Sequence, residues 1–176
     1  MQLLQKKTKI AFLDRDGVLN SSKKNNGYIG KIKDFKWIPG AKKAIKYLKE
    51  NKFKVIIVTN QSGVARGYFG IKDVYALNKY IKTEIQKVGT KVDKIYFCPY
   101  HNKGIIKKYL KKSSCRKPNI GMFKKASKSW KVDKKKSFMI GDRNVDMKFA
   151  KNAGIKGYLF KEKNLLNFIL KLKIFN

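Results

Sequence analysis

The chain has 176 residues, 43% hydrophobic and 31% charged, with 44 Lys+Arg against 11 Asp+Glu and a net charge of +33. That length and apolar content fit one domain over 1–176 with a real core, and exclude a disordered chain. No apolar run is long enough to span a bilayer, and the N-terminus lacks the apolar stretch and cleavage site of a signal peptide, so a soluble, cytoplasmic protein without a membrane partner is expected.

Residues 9–13 (KIAFL) read as a short buried strand ending at a pair of aspartates. The stretch 20–40 is punctuated by Gly, Asn and Ser and reads as loop. Apolar residues at 41, 44, 45 and 48 give helical spacing over 41–51, and FKVIIV at 53–58 is an apolar, β-branched strand. Apolar positions at 71, 74, 77, 81, 85 and 88 predict a long amphipathic helix over 71–88, followed by a strand at 94–98. Residues 99–117 form a Lys- and Ser-rich loop insertion. Beyond it come a helix at 121–130, a strand at 137–140, a helix at 144–152 with Gly154 near its C-cap, a strand at 157–160 and a helix at 164–172. Strands alternating with helices predict an α/β fold, a single doubly wound and mostly parallel sheet with helices on both faces.

In such a sheet, ligands bind beyond the carboxyl ends of the strands. DRDG follows the first predicted strand, TNQSG the second and GDRNVD the fourth, so three strand ends deliver polar groups to one crevice. Asp14 and Asp16, two apart in extended chain, face the same side, and keeping both ionised needs a cation or a shared proton. A hard divalent ion such as Mg²⁺ suits these oxygens, and Asp142 from another strand end extends the ligand set. Thr59 offers a hydroxyl and nearby backbone N–H groups for phosphoryl oxygens. Lys117, in CRKP, is the candidate cation among the many lysines.

Only four of the basic residues are Arg: Arg15, Arg66, Arg116 and Arg143, each within a motif of this kind. The Lys spread from end to end reads as a solvated surface, whereas nucleic-acid binders gather basic residues on one face with Arg well represented, so a nucleic-acid partner is not expected. The two cysteines, Cys98 and Cys115, make no disulfide framework and are expected as free thiols or metal ligands.

DRDGVLN, VTNQSGVARG, CRKPNIGM and IGDRNVDM, in that order and spacing, resemble the haloacid dehalogenase-type (HAD) phosphohydrolases, and among them the heptose bisphosphate and histidinol-phosphate phosphatases. The resemblance implies a HAD-like Rossmannoid core without a large cap domain, acting as a monomer on a small phosphorylated sugar. It implies Asp14 as nucleophile, Asp16 as general acid and base, and Thr59 and Lys117 as neutralisers of the transferring phosphoryl. Mg²⁺ would be held by Asp14, Asp142 and the backbone carbonyl of Asp16, with Asp146 behind them. Arg116 would grip a distal substrate group, with Asn60, Gln61, Ser62 and Arg143 near the mouth. The implied reaction is removal of the C7 phosphate of D-glycero-D-manno-heptose 1,7-bisphosphate, a step of carbohydrate metabolism in lipopolysaccharide heptose biosynthesis. The alternatives are histidinol phosphate, a DNA 3′-phosphate, or a basic nucleic-acid-binding module on the same core.

The family's zinc loop maps to 99–117 and departs from pattern. Tyr100 stands where a His belongs, with His101 one place later, and Ser113 stands where a Cys belongs. Cys98, His101 and Cys115 are the remaining Zn²⁺ candidates, an open set unlike a closed structural site, and an ordered loop without metal is the favoured reading.

Overall fold

The computed structural model describes residues 6–21, 27–172 and 174; positions 22–26 of the predicted loop and the first five residues of the predicted domain lie outside it. Five parallel strands, β1 (Ile10–Leu13), β2 (Lys54–Asn60), β3 (Lys94–Cys98), β4 (Phe138–Gly141) and β5 (Lys156–Leu159), form one sheet in the order β3-β2-β1-β4-β5. Five helices connect and flank them: α1 (Ala41–Glu50), α2 (Ile71–Gln86), α3 (Gly121–Ser129), α4 (Asn144–Ala153) and α5 (Leu165–Lys171). Every predicted element is present within one or two residues at most of its ends. The fold is the expected α/β architecture, a single parallel sheet with helices on both faces, and among the described residues no large cap domain stands over it.

Alternation along β1 shows why both faces are covered. Ala11 and Leu13 join Ala44, Ile45, Leu77, Ile81 and Ile169, so α1, α2 and α5 cover one face. Ile10 and Phe12 join Phe123, Ala126, Phe149 and Ala150, so α3 and α4 cover the other. Because side chains alternate sides at each step, a central strand between two helical layers must be apolar throughout, and β1 is fully buried at all four positions.

The strand order places the crevice. From β1 the chain moves outward to β2 and β3, then returns to β4 on the other side of β1. Leu13 pairs with both Ile57 and Ile140, so the residues that follow each strand emerge at one level at this switch point. β2 runs two residues further than its apolar run, and Thr59 and Asn60 pair with Phe97 and Cys98. The crevice is therefore floored by regular sheet. Short 3-10 turns at Ile32–Asp34 and Lys107–Tyr109 lie in the flanking loops. No helix among the described residues is long and apolar enough to cross a membrane.

Phe12 packs against Phe123 with ring centroids 5.5 Å apart and against Phe149 at 6.4 Å, joining β1 to α3 and α4. Urea unfolding of Phe12→Ala should show a loss of about 3–5 kcal/mol, the range for emptying a buried aromatic site.

Candidate active site

The chain after β1 turns at once. Gly17 takes φ +87°, a left-handed conformation that Gly adopts without steric cost, and its N–H donates to the Asn20 carbonyl at 2.7 Å. The Val18, Leu19 and Asn20 N–H groups all point to the Arg15 carbonyl. A Cβ on Gly17 would collide with the Asp142 carboxylate, so glycine here lets the β1 and β4 loops touch.

Asp14 is buried at the crevice floor. Its Oδ1 accepts from the Arg15 backbone N–H at 2.7 Å and stands 3.0 Å from Lys117 Nζ. Lys117 is also buried, donating to the Val58 carbonyl at 2.8 Å and pairing with Asp146 Oδ1 at 2.6 Å. Asp146 sits in the first turn of α4, where its Oδ2 accepts from the Arg143 N–H at 3.2 Å and caps the helix. The carboxylate oxygens of Asp14, Asp142 and Asp146 lie within 4.8 Å of one another.

Burial pushes the Asp14 carboxyl up to about 7; Lys117 opposes this, while Asp146, Asp16 and Asp142 reinforce it. Burial likewise raises Asp142, helped by Asp146 against Arg143. For Lys117, burial pulls downward, but Asp14 and Asp146 outweigh it and the ammonium titrates above its usual range. One ammonium against three carboxylates is an unfinished balance. The buried Asp142 Oδ1 has no protein hydrogen-bond partner, which leaves it free to ligate. Oxygen donors, excess negative charge and an unpartnered buried oxygen fit a hard divalent cation.

Asp16 is placed differently. Its carboxylate accepts from Arg15, from Asn20 Nδ2 at 3.0 Å and from Gln61 Nε2 at 2.8 Å, and does not join the three-carboxylate group. The Asp14 and Asp16 side chains thus have separate partners. Thr59 is buried, with Oγ1 accepting from Gln61 Nε2 at 2.8 Å. Asp14, Asp16, Thr59, Asn60, Gln61, Ser62, Arg116, Lys117 and Arg143 line one cleft of about 220 Å³, together with Tyr28 and Val145.

Several residues expected near the mouth have structural duties there. Asn60 exchanges two hydrogen bonds with the Lys117 backbone, at 3.0 and 3.1 Å, which orients the lysine. Gln61 is buried, its amide spent on Arg15, Asp16 and Thr59. Arg143 is exposed at the rim, its Nε 3.8 Å from Asp142 Oδ2. The Arg116 side chain makes a long contact to the Tyr100 carbonyl, at 3.5 Å. Sequence reading gave no role to Arg15 or Asn20, although Arg15 was marked by being one of four arginines.

The cysteine expectation is corrected. Cys98 and Cys115 are joined in a disulfide with Cα atoms 5.6 Å apart, so neither is a free thiol or a metal ligand. The end of β3 and the turn before Arg116 bring the two sulfurs together, and Ser113 Oγ lies 3.1 Å from Cys115 Sγ. His101 turns elsewhere: Nδ1 accepts from the Lys103 N–H at 2.9 Å and Nε2 faces Arg66 at 3.4 Å. The three candidates do not form a zinc site.

The chain matches the family described as Polynucleotide kinase 3 phosphatase over residues 9–162. It is 41% identical to a D-glycero-beta-D-manno-heptose-1,7-bisphosphate 7-phosphatase of Rhodopseudomonas palustris, over 93% of this chain and 89% of that protein. It is 42% identical to a D-glycero-alpha-D-manno-heptose-1,7-bisphosphate 7-phosphatase of Campylobacter jejuni, over 85% of this chain and 80% of the other. The crystal structure of D,D-heptose 1,7-bisphosphate phosphatase from B. bronchiseptica, complexed with magnesium and phosphate, superposes with a TM-score of 0.78 at 28% identity, covering 95% of this chain and 88% of that one.

A carboxyl with a raised folded-state pKa holds its proton more tightly when native, so stability falls as pH rises between the unfolded and folded values. For Asp14 that window runs from about 4 to about 7 in the metal-free protein. Melting of chelator-treated protein across this window should fall more steeply for wild type than for Asp14→Asn, and the variant should be the more stable above pH 7.

Proposed function

The chain belongs to the Polynucleotide kinase 3 phosphatase family as a HAD-type phosphatase, and from that premise we propose that it removes the C7 phosphate of D-glycero-D-manno-heptose 1,7-bisphosphate. The observation that carries the reading is the cleft floor, where the Asp14 carboxylate meets Lys117 and lies within 4.8 Å of the Asp142 and Asp146 oxygens, with Thr59 lining the same cleft. Near 40% identity to heptose bisphosphate phosphatases over most of both chains supports the choice of substrate. Those relatives differ in the anomer they are named for, so both anomers belong in the assay.

An Asp14 oxygen attacks phosphorus, the bond from phosphorus to the C7 oxygen breaks, and Asp16 gives its proton to that leaving oxygen. Asp16 then takes a proton from water, whose oxygen attacks the aspartyl phosphate and frees both Asp14 and inorganic phosphate. Proton transfer by one positioned carboxyl in both directions is ordinary acid–base catalysis. Lys117 and Thr59 meet the equatorial phosphoryl oxygens, a mainly electrostatic task in phosphoryl transfer. Mg²⁺ would be held by Asp14, Asp142 and the Asp16 backbone carbonyl, with Asp146 behind, and when bound would supply positive charge to the nucleophile and phosphate. Arg116 and Arg143 stand where a second anionic group of the substrate would reach the rim.

One feature favours a second reading. Tyr28 lines the cleft and meets the exposed Tyr68 edge to face at 4.8 Å, beside Lys31 and Lys33, an aromatic and basic shelf that would suit a nucleotide. A 3′-phosphorylated oligonucleotide therefore joins the panel, with histidinol phosphate.

Phosphate release with Mg²⁺ should be fastest for one heptose 1,7-bisphosphate anomer and should vanish on chelation. Asp14→Asn should lower turnover by at least about three orders of magnitude while the protein stays folded. Turnover retained by that variant would defeat the mechanism; preference for the oligonucleotide would move the substrate to the second reading.

A further inference from the structure

Between the two aspartates lies a wholly buried guanidinium. Arg15 has no exposed side-chain surface, and its Nε and Nη2 meet Asp16 at 2.9–3.1 Å across both carboxylate oxygens. Nη2 also reaches the Ile29 carbonyl and Gln61 Oε1, the latter at 3.0 Å. Gln61 in turn donates to Asp16 Oδ2 and to Thr59 Oγ1, both at 2.8 Å. Burying a guanidinium is costly, and here Nη1 is left without a hydrogen-bond partner, so the burial is offset by the Nε and Nη2 side, whose planar fork on a carboxylate Lys cannot provide.

The arrangement divides labour among the carboxylates. The carboxylate group of Asp14, Asp142 and Asp146 draws on Lys117 and any bound cation. Left free, the Asp16 side chain would be drawn toward the same positive charge. The fork holds it instead at the cleft wall, tied to the Ile29 loop on one side and, through Gln61, to the end of β2 on the other. We propose that Arg15 is the positioning residue for Asp16, fixing its carboxylate for proton transfer at the leaving oxygen while keeping it out of the cation site. The assignment rests on the phosphatase reading but not on which phosphate ester is the substrate.

The test exploits leaving groups. Expulsion of a sugar alkoxide needs a proton from Asp16, whereas p-nitrophenolate leaves without one. kcat/KM reports the step that forms the aspartyl phosphate, so it isolates the acid role. We compare wild type, Arg15→Met and Arg15→Lys on p-nitrophenyl phosphate and on the alkyl phosphate that wild type hydrolyses best. For Arg15→Met, kcat/KM on the alkyl ester should fall about 100-fold and on the aryl ester less than about threefold, since general acids contribute at least that much. Arg15→Lys should fall between Arg15→Met and wild type. Equal losses on both esters would mean a merely structural role and would overturn the proposal, as would no loss. If Arg15→Met melts below the assay temperature, Gln61→Met, which removes one brace, is read on the same ratio. It should lower the alkyl-to-aryl ratio about tenfold, and an unchanged ratio there also overturns the proposal. Failure of the heptose alone changes the substrate and leaves this ratio intact.

Discussion

One buried ammonium organises the site. Lys117 Nζ is surrounded by the Val58 carbonyl and the carboxylates of Asp14 and Asp146, which come from β2, from the residue after β1 and from the first turn of α4. A lysine taken out of water alone would lose its charge; two carboxylates restore it. In return the ammonium allows those carboxylates to be buried, which the surrounding sheet could not tolerate otherwise. Removing Lys117 would leave both carboxylates uncompensated, whereas neutralising Asp14 still leaves the ammonium paired with Asp146. The cluster's remaining negative charge, on oxygens within 4.8 Å of one another, is of the kind a hard divalent cation offsets.

The positions of these groups follow from backbone rules rather than from the side chains' attraction for each other. Parallel strands in register deliver Thr59 and Asp142 at one level, a single residue beyond Asp14. Asn60 then orients Lys117 by bonding its backbone, not its ammonium. The Cys98–Cys115 disulfide joins the end of β3 to the turn that begins the Arg116–Lys117 segment. That link ties the segment carrying Arg116 and Lys117 to the sheet edge that also carries Asn60's partner, Cys98.

Most of the fold was legible because hydrophobic periodicity and strand ends are local signals. β1, with its four apolar residues, and α2, with its regular apolar stripe, could be read from spacing alone. The end of β2 was misplaced by two residues because Thr59 and Asn60 are polar, although they continue the ladder to β3. The site residues were legible by type and position, since Asp14, Thr59, Lys117 and Asp142 all follow strands or lie in a marked motif. What could not be read was the pairing: that Asp14, Asp142 and Asp146 cluster, and that Asp16 belongs to Arg15, Asn20 and Gln61 instead. Those Asp16 contacts join residues as many as 45 positions apart, and spacing along a chain carries no signal for them. The cysteines failed for a related reason. Their proximity comes from the folded path of residues 99–114, whereas the reading rested on compartment chemistry.

The scarcity of Arg also takes on physical content. Lys and Arg serve equally on a solvated face, where the +33 charge is spread, but they differ wherever a planar fork or a poorly hydrated cation is needed. Arg15 forks a carboxylate in a dry setting, Arg116 and Arg143 line the cleft, and Arg66 stacks over Tyr28 at 5.9 Å beside His101. All four arginines therefore lie in or beside one crevice, where Lys117 is the buried lysine among them. A chain in which Lys replaces Arg wherever the surroundings permit would leave this distribution: the arginines that remain mark the positions where geometry, and not charge alone, does the work.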